Sequence, residues 1–272
     1  MVYSWIEVIT MPVMIIKVPM FAVISDNSWI KGSLGEILIE TYCASFALCI
    51  SLLAAQFVFR YFLMCREHSK LTTTNRYVIL FIPCILCFVL WFCCVHFPLE
   101  NTAEKKQHMR DIMSLQYDMD SNQVPFTSCM FWTIDKNGDK RWNWSNLIGI
   151  STCDMIIGAC FSTILFCGYF IRKTTNECEW KSEKTKQLNR QLFQTLIAQT
   201  ILPLFLVYTP VGTFISCPLL SIDLNSIVNF CAVSVVIYQV FEPLIAIFGI
   251  NQFRVAVLSL GKRKQSVVAP SM

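Results

Sequence analysis

The chain has 272 residues, of which 55% are hydrophobic and only 15% charged, against about 25% charged in an ordinary soluble domain. The apolar residues are gathered into long blocks, which argues against one soluble core and for a polytopic membrane protein. The net charge of +4 is small, and no basic stripe runs along a polar helix, so the sequence offers no footprint for nucleic acid.

Taken in order, the hydropathy pattern predicts six membrane spans, at about 3–24, 39–60, 77–98, 146–171, 192–217 and 227–248, with a tail at 261–272. The first is interrupted by Glu7, Pro12, Lys17 and Pro19, and its alternative is an interfacial helix. Met1 leads straight into it, with no small-residue cleavage site of the secretory kind. The second carries Ala47, Ser51 and Ala55 at a four-residue spacing. Such a small face suits a helix packed centrally in a bundle. A long polar loop, 99–145, separates the third span from the fourth. Pro203 and Pro210 fall in the fifth span and Pro243 in the sixth. Each removes a backbone donor and predicts a kink.

Lysine and arginine counts set the orientation. Arg60–Arg76 has four basic residues and one acid, Arg172–Arg190 has six and three, and the tail after Gly249 has four and none. These face the cytoplasm. The second span therefore enters from outside near Cys43 and leaves inside at Arg60. Six spans place Met1 inside as well.

Most of the 14 cysteines lie within apolar runs, as small buried hydrophobes. Cys43 and Cys129 both fall on the outer, oxidising side, which permits a disulfide between them; Cys217 competes as a partner, and two free thiols are the alternative. Arg60 reads either as a residue snorkelling to the headgroups or as a switch residue that meets a partner. Glu40, Tyr42, Asp154 and Tyr238 are the candidate pocket residues, since charge inside a bilayer tends to face cavities or partners. Glu242 precedes Pro243 in the last span. Asn143-Trp144-Ser145 is a single glycosylation sequon set close to the membrane. Asp135, Asn137 and Asp139 imitate a calcium loop but lack its closing glutamate, and read as a turn. No metal, nucleophile or phosphate-loop motif is present, so neither an enzyme nor a cofactor is expected.

Tyr3-Ser4, Pro12-Val13, Tyr42-Cys43 and Phe59-Arg60-Tyr61, together with Lys184–Leu188, Gln191-Leu192-Phe193, Gln199-Thr200, Pro203, Pro210-Val211-Gly212, Pro243-Leu244 and Phe253-Arg254, resemble the Str-type nematode serpentine chemoreceptors (serpentine receptor class r). The resemblance implies an all-α, seven-helix G-protein-coupled receptor with six spans visible and the first helix lacking. It implies a small odorant as ligand, a heterotrimeric G protein as partner, and a place in the plasma membrane of sensory cilia. In that frame Arg60 and Tyr61 resemble the G-protein-coupling end of the third helix. Cys43 and Cys129 resemble the disulfide to the second outer loop, and Pro203 resembles the kink of the sixth helix. A six-span transporter or channel subunit and a non-signalling truncated receptor are the alternatives.

Overall fold

Pro12 and Pro19 divide the first predicted span. In the computed structural model, residues 3–24 hold a short helix, α1 (Val2–Thr10), followed by two strands, β1 (Pro12–Lys17) and β2 (Met20–Ser25). Pro12 offers no donor to continue the helix, and Met11 before it turns to a φ of 43°. The β-branched residues Val13, Ile15, Ile16, Val23 and Ile24 then favour extended chain, and the strands pair antiparallel from Pro12↔Ser25 to Lys17↔Met20. The expected span, or interfacial helix, over 3–24 is corrected accordingly: this apolar stretch is a buried hairpin, not a membrane crossing.

The structure describes residues 2–27, 29–65, 77–117, 124–135, 138–177, 183–222, 228–249, 254, 255 and 259. The 261–272 tail lies outside them.

The remaining elements are α2 (Gly32–Cys65), α3 (Phe81–His96), α4 (Ala103–Tyr117), β3 (Phe126–Met130), β4 (Trp132–Ile134), β5 (Lys140–Trp142), α5 (Trp144–Glu177), α6 (Glu183–Pro203), α7 (Thr209–Leu219) and α8 (Asn229–Gly249). A π-helical turn, Leu204–Tyr208, joins α6 to α7. Among the described residues, four helical stretches are long and apolar enough to cross a membrane: Gly32–Cys65, Val78–His96, Trp144–Glu177 and Lys186–Leu219. The shorter apolar stretch Val233–Gly249 adds a fifth helix to the bundle. The fold is a mostly helical membrane bundle with a small sheet at one end, the end with fewer basic residues, called outer below.

The central place of α2 follows from its small residues. Ala44, Ala47, Ser51 and Ala54 are buried, and α2 makes its most extensive helix contacts with α3 and α5. Large apolar side chains on the outside of α3, such as Phe81, Ile82, Ile85 and Leu86, are exposed, as befits a surface solvated by lipid. Gly149 lets α5 meet α3 closely. A Cβ there would lie 2.9 Å from both Leu99 Cδ1 and Pro98 Cβ. Gly149→Ala is therefore expected to destabilise the bundle by roughly 1–3 kcal/mol through overpacking, read as a lower thermal midpoint of the detergent-solubilised protein.

The long loop 99–145 is structured. Its strand β3 joins β2 antiparallel, Phe21↔Cys129 and Ile24↔Phe126, making the sheet order β1-β2-β3. Alternate side chains of this sheet point two ways. Met14, Phe21 and Val23 face the helices, while Ile15, Met20, Ala22 and Ile24 pack with Met109 and Met113 of α4. Sheet and α4 thus form a two-layer cover over the outer end of the bundle. β4 and β5 form a hairpin whose turn is closed by Asp135 N–H donating to the Asp139 carbonyl at 2.9 Å, in keeping with the turn read at Asp135–Asp139.

Candidate ligand site

Beneath the cover lies a cavity of about 90 Å³. The sheet roofs it with Met14, Phe21, Val23, Thr127 and Ser128. Its walls come from five helices: Tyr42 and Phe46 of α2, Trp91 and Val95 of α3, Ile150 and Cys153 of α5, Val211 and Phe214 of α7, and Val235 of α8. The lining is almost wholly apolar. The polar exceptions are few, and one is the Tyr3 hydroxyl, which donates to the Tyr42 hydroxyl at 3.2 Å. Such a site has room for a few heavy atoms and no counter-charge for an ion.

Helical phase explains which expected residues reach it. Tyr42, Cys43 and Phe46 share one face of α2, and all three line the cavity. Glu40 stands two residues before Tyr42, about 200° around the helix, and is absent from the wall. It is buried and meets His96 Nδ1 of α3 at 2.8 Å, so its role is to tie two helices together. Asp154 follows the wall residue Cys153 and is turned to the exposed outer side of α5. Tyr238 packs against the bundle core and is not a lining residue. Tyr42 alone of these four takes part in the cavity wall.

The expected Cys43–Cys129 disulfide is not formed; both are free thiols. Cys43 lies eleven residues into α2, roughly 16 Å below its outer end along the axis, near Glu40 and Cys153. Cys129 is fixed in β3 opposite Phe21, next to Lys105, and burial pushes its thiol up to about 12. Both belong to one apolar cluster at the outer end, Cys129 as a buried member and Cys43 packed against it. Cys217, the competing partner, is also a free, buried thiol.

Two features link the cavity to the inner end. The first is the junction of α6 and α7. Pro203 closes α6, and the chain then makes a π turn in which Thr209 N–H donates to the Leu204 carbonyl, five residues back. Pro210 follows in the first turn of α7. Neither proline can donate to the helix ladder, and the wider turn accommodates the break. Tyr208 of this turn packs edge-on against Phe46, ring centroids 5.2 Å apart, and Phe46 is a wall residue. The second feature is the end of α2. Arg60 is half-buried there, and Tyr61 packs on Phe166 and Phe170 of α5. Pro243 lies inside α8; the Glu242 side chain lies outside the described residues. Asn143 caps α5, its Oδ1 accepting from Asn146 N–H at 3.3 Å.

Sequence reasoning passed over the buried polar cluster that pins the cover. Lys105 of α4 is 1% exposed. Its ammonium donates to the Glu100 carbonyl at 2.8 Å, the Ser128 carbonyl at 2.9 Å and Asn146 Oδ1 at 3.2 Å. Asn146 in turn donates to the Met130 carbonyl at 3.0 Å. Burial holds the Lys105 pKa down at about 8. Nothing in the charge pattern of the loop marks this lysine out from its neighbour Lys106.

The chain matches the family model for serpentine type 7TM GPCR chemoreceptor Str over residues 1–258. It is similar to serpentine receptor class r-10 of Caenorhabditis briggsae, 29% identical over 97% of this chain and 79% of the relative. The protein of the same name in Caenorhabditis elegans is 28% identical over the same shares. The G-protein coupled receptor str-217 of Caenorhabditis elegans is 24% identical over 79% of this chain and 62% of the relative. No solved structure matches the chain. A multi-pass helix bundle with an outer, covered cavity accords with that match, and the chain belongs to the serpentine type 7TM GPCR chemoreceptor Str family, a class of receptors and not of enzymes.

Proposed function

We propose that the chain is a chemosensory receptor that binds a small, uncharged, largely apolar odorant in the cavity under the sheet and passes the signal to a heterotrimeric G protein at the inner end of α2. The observation that carries this reading is the wall itself. Val211 and Phe214 of α7 line the cavity, and the Pro203–Pro210 break lies directly inward of them along the same helix. A ligand held against α7 bears on a helix with a built-in bend, and it shifts the bundle by as much as its affinities for the two bend states differ. Arg60 and Tyr61 then form part of the surface offered to the G protein. The cell membrane it serves is the plasma membrane of chemosensory neurons, at their cilia.

Expression in a reporter cell, followed by a screen of small uncharged volatiles, tests the reading. An active compound should raise a G-protein signal, and Arg60→Ala should reduce that signal at least about tenfold at equal surface level, corresponding to about 1.4 kcal/mol or more of coupling. Full signalling by Arg60→Ala would remove Arg60 from the coupling surface. A substrate current or flux in the absence of any G protein would replace the receptor reading altogether.

A further inference from the structure

The β4–β5 hairpin leads straight into α5, and the chain there mixes basic and aromatic residues: Lys140-Arg141-Trp142-Asn143-Trp144. The pairs Trp132↔Trp142 and Ile134↔Lys140 set these four side chains on one face of the ribbon, because side chains alternate along a strand. Trp132 is buried and packs edge-on against Trp142, ring centroids 5.4 Å apart. Ile134 and Trp142 are 72% and 43% exposed. The Lys140 ammonium lies 4.7 Å from the centre of the Trp132 ring. It therefore leans toward the α5 end of the ribbon and away from the turn at Asp135–Asp139. Neither Lys140 nor Arg141 has an ion-pair partner among the described residues. The face thus joins exposed apolar and aromatic surface to positive charge that no carboxylate of the described residues neutralises.

The helix that follows fixes the level of the hairpin. Ile148, Met155, Phe166 and Tyr169 of α5 are exposed and fall on one side of it at helical spacing. From Ile148 to Tyr169 the helix rises about 32 Å, which matches the ~30 Å of a bilayer's hydrocarbon. Trp144 lies on the same side, one turn beyond Ile148, and is 70% exposed. Trp144 and Tyr169 thus stand at the two membrane–water boundaries, where such rings gather. The hairpin ends two residues before Trp144, which sets it in the outer headgroup layer. We propose that the face carrying Ile134, Lys140 and Trp142 is a docking surface for an outer-leaflet phospholipid. The lipid phosphate pairs with the Lys140 ammonium, and the glycerol and upper acyl carbons pack on Trp142 and Ile134. Arg141, on the opposite face, adds a second positive charge at the same level. Two observations favour lipid as the occupant: the face continues the lipid-facing side of α5, and its charge complements phosphate. The contact also reaches the cavity roof. Asn143 N–H donates to the Phe131 carbonyl at 2.9 Å, and the Phe131 ring packs on roof residue Phe21, centroids 6.0 Å apart. A seated phospholipid braces the cover from its edge, whichever ligand the cavity takes.

The test places the full chain in phosphatidylcholine nanodiscs doped with a photo-cross-linking phosphatidylcholine, its diazirine either on the headgroup or at the end of an acyl chain. Chymotryptic digestion and mass spectrometry then locate the adducts. The headgroup probe is expected to label the hairpin, residues 132–144. The acyl-end probe is expected to label the exposed side of α5 between Met155 and Phe166 and to leave the hairpin unlabelled. Lys140→Gln combined with Arg141→Gln should lower hairpin labelling several-fold without changing the labelling of α5. These are surface positions, so the bundle itself is undisturbed, and α5 serves as the internal standard. A hairpin labelled by neither probe, while α5 is labelled, would overturn the docking surface. Equal hairpin labelling in the double variant would overturn the phosphate contact. Loss of hairpin labelling on addition of soluble glycerol 3-phosphate would reassign the face to an anion from solution and overturn lipid as its occupant.

Discussion

Val235→Phe is expected to weaken the response to any cavity ligand while leaving the receptor at the cell surface. Val235 is 1% exposed, on α8, with its side chain in the cavity wall. A phenyl ring there projects into a space of about 90 Å³, and a ligand of a few heavy atoms must then compress against Tyr42, Phe46 or Phe214 or fail to enter. Overpacking of this kind costs roughly 1–3 kcal/mol, which a bound ligand feels as a potency loss of ~5- to ~150-fold. The folded protein has less to lose, because the ring grows into empty volume instead of into packed neighbours. A dose-response curve set beside surface labelling separates these effects. A variant with wild-type potency would move the ligand site elsewhere in the bundle. Val235→Ala widens the same wall and is expected to favour larger ligands, an opposite displacement that a general folding defect does not reproduce.

The bundle was legible in the sequence because a bilayer accepts only a narrow set of solutions: a chain that crosses as helices must show runs of about 20 apolar residues. The Ala47 and Ser51 positions on α2 marked the central helix for the same reason. The hairpin at 12–25 escaped because its composition is that of a span. What distinguishes it is a pairing with Phe126–Met130, a hundred residues away, and single-strand propensity carries little of that information. The prolines at positions 12 and 19, bracketing β-branched runs, were the available signal. Contact and phase were likewise hidden. Counting basic residues set Cys43 and Cys129 on one side of the membrane but says nothing of whether their sulfurs meet, and Glu40 was grouped with Tyr42 although they face about 200° apart. Pro203 was readable as a break, whereas the π turn it leads into depends on how Tyr208 packs against Phe46 and Phe161. Lys105 looked like one charge among many in a polar loop. Its burial rests on three acceptors that come from the loop, β3 and α5, an arrangement that no local pattern encodes.

Lys105 supplies the second large effect, because the cover over the cavity closes around the hydrogen bonds of its amine nitrogen. Amide hydrogen exchange in β3 (Phe126–Met130) is expected to speed up in Lys105→Met. The substitution removes the donor to Glu100, Ser128 and Asn146 and leaves the two buried acceptors, on Ser128 and Asn146, unsatisfied, at about 1–3 kcal/mol each. Relief from burying a charge offsets part of this. The net loss expected is roughly 2–4 kcal/mol of local stability, or ~30- to ~1000-fold in exchange protection. The sign with pH follows from linkage. The Lys105 pKa is about 8 in the folded protein, against 10.5 when solvated. Between these values the unfolded cover binds more protons than the folded one, so its stability rises with pH across that window, by up to about 3 kcal/mol. Burial and the neighbouring Lys17 also hold His108 below its ordinary value, which adds a loss of stability of the same sign on the acid side. Intrinsic-rate-corrected protection in β3 should therefore climb from pH 8 to 10.5 in the wild type and stay flat in Lys105→Met. A flat profile in both proteins, with equal protection, would mean that the Lys105 hydrogen bonds do not hold the cover shut. A latch of this kind bears on ligand binding through the roof residues Thr127 and Ser128, which belong to the same strand that Lys105 grips.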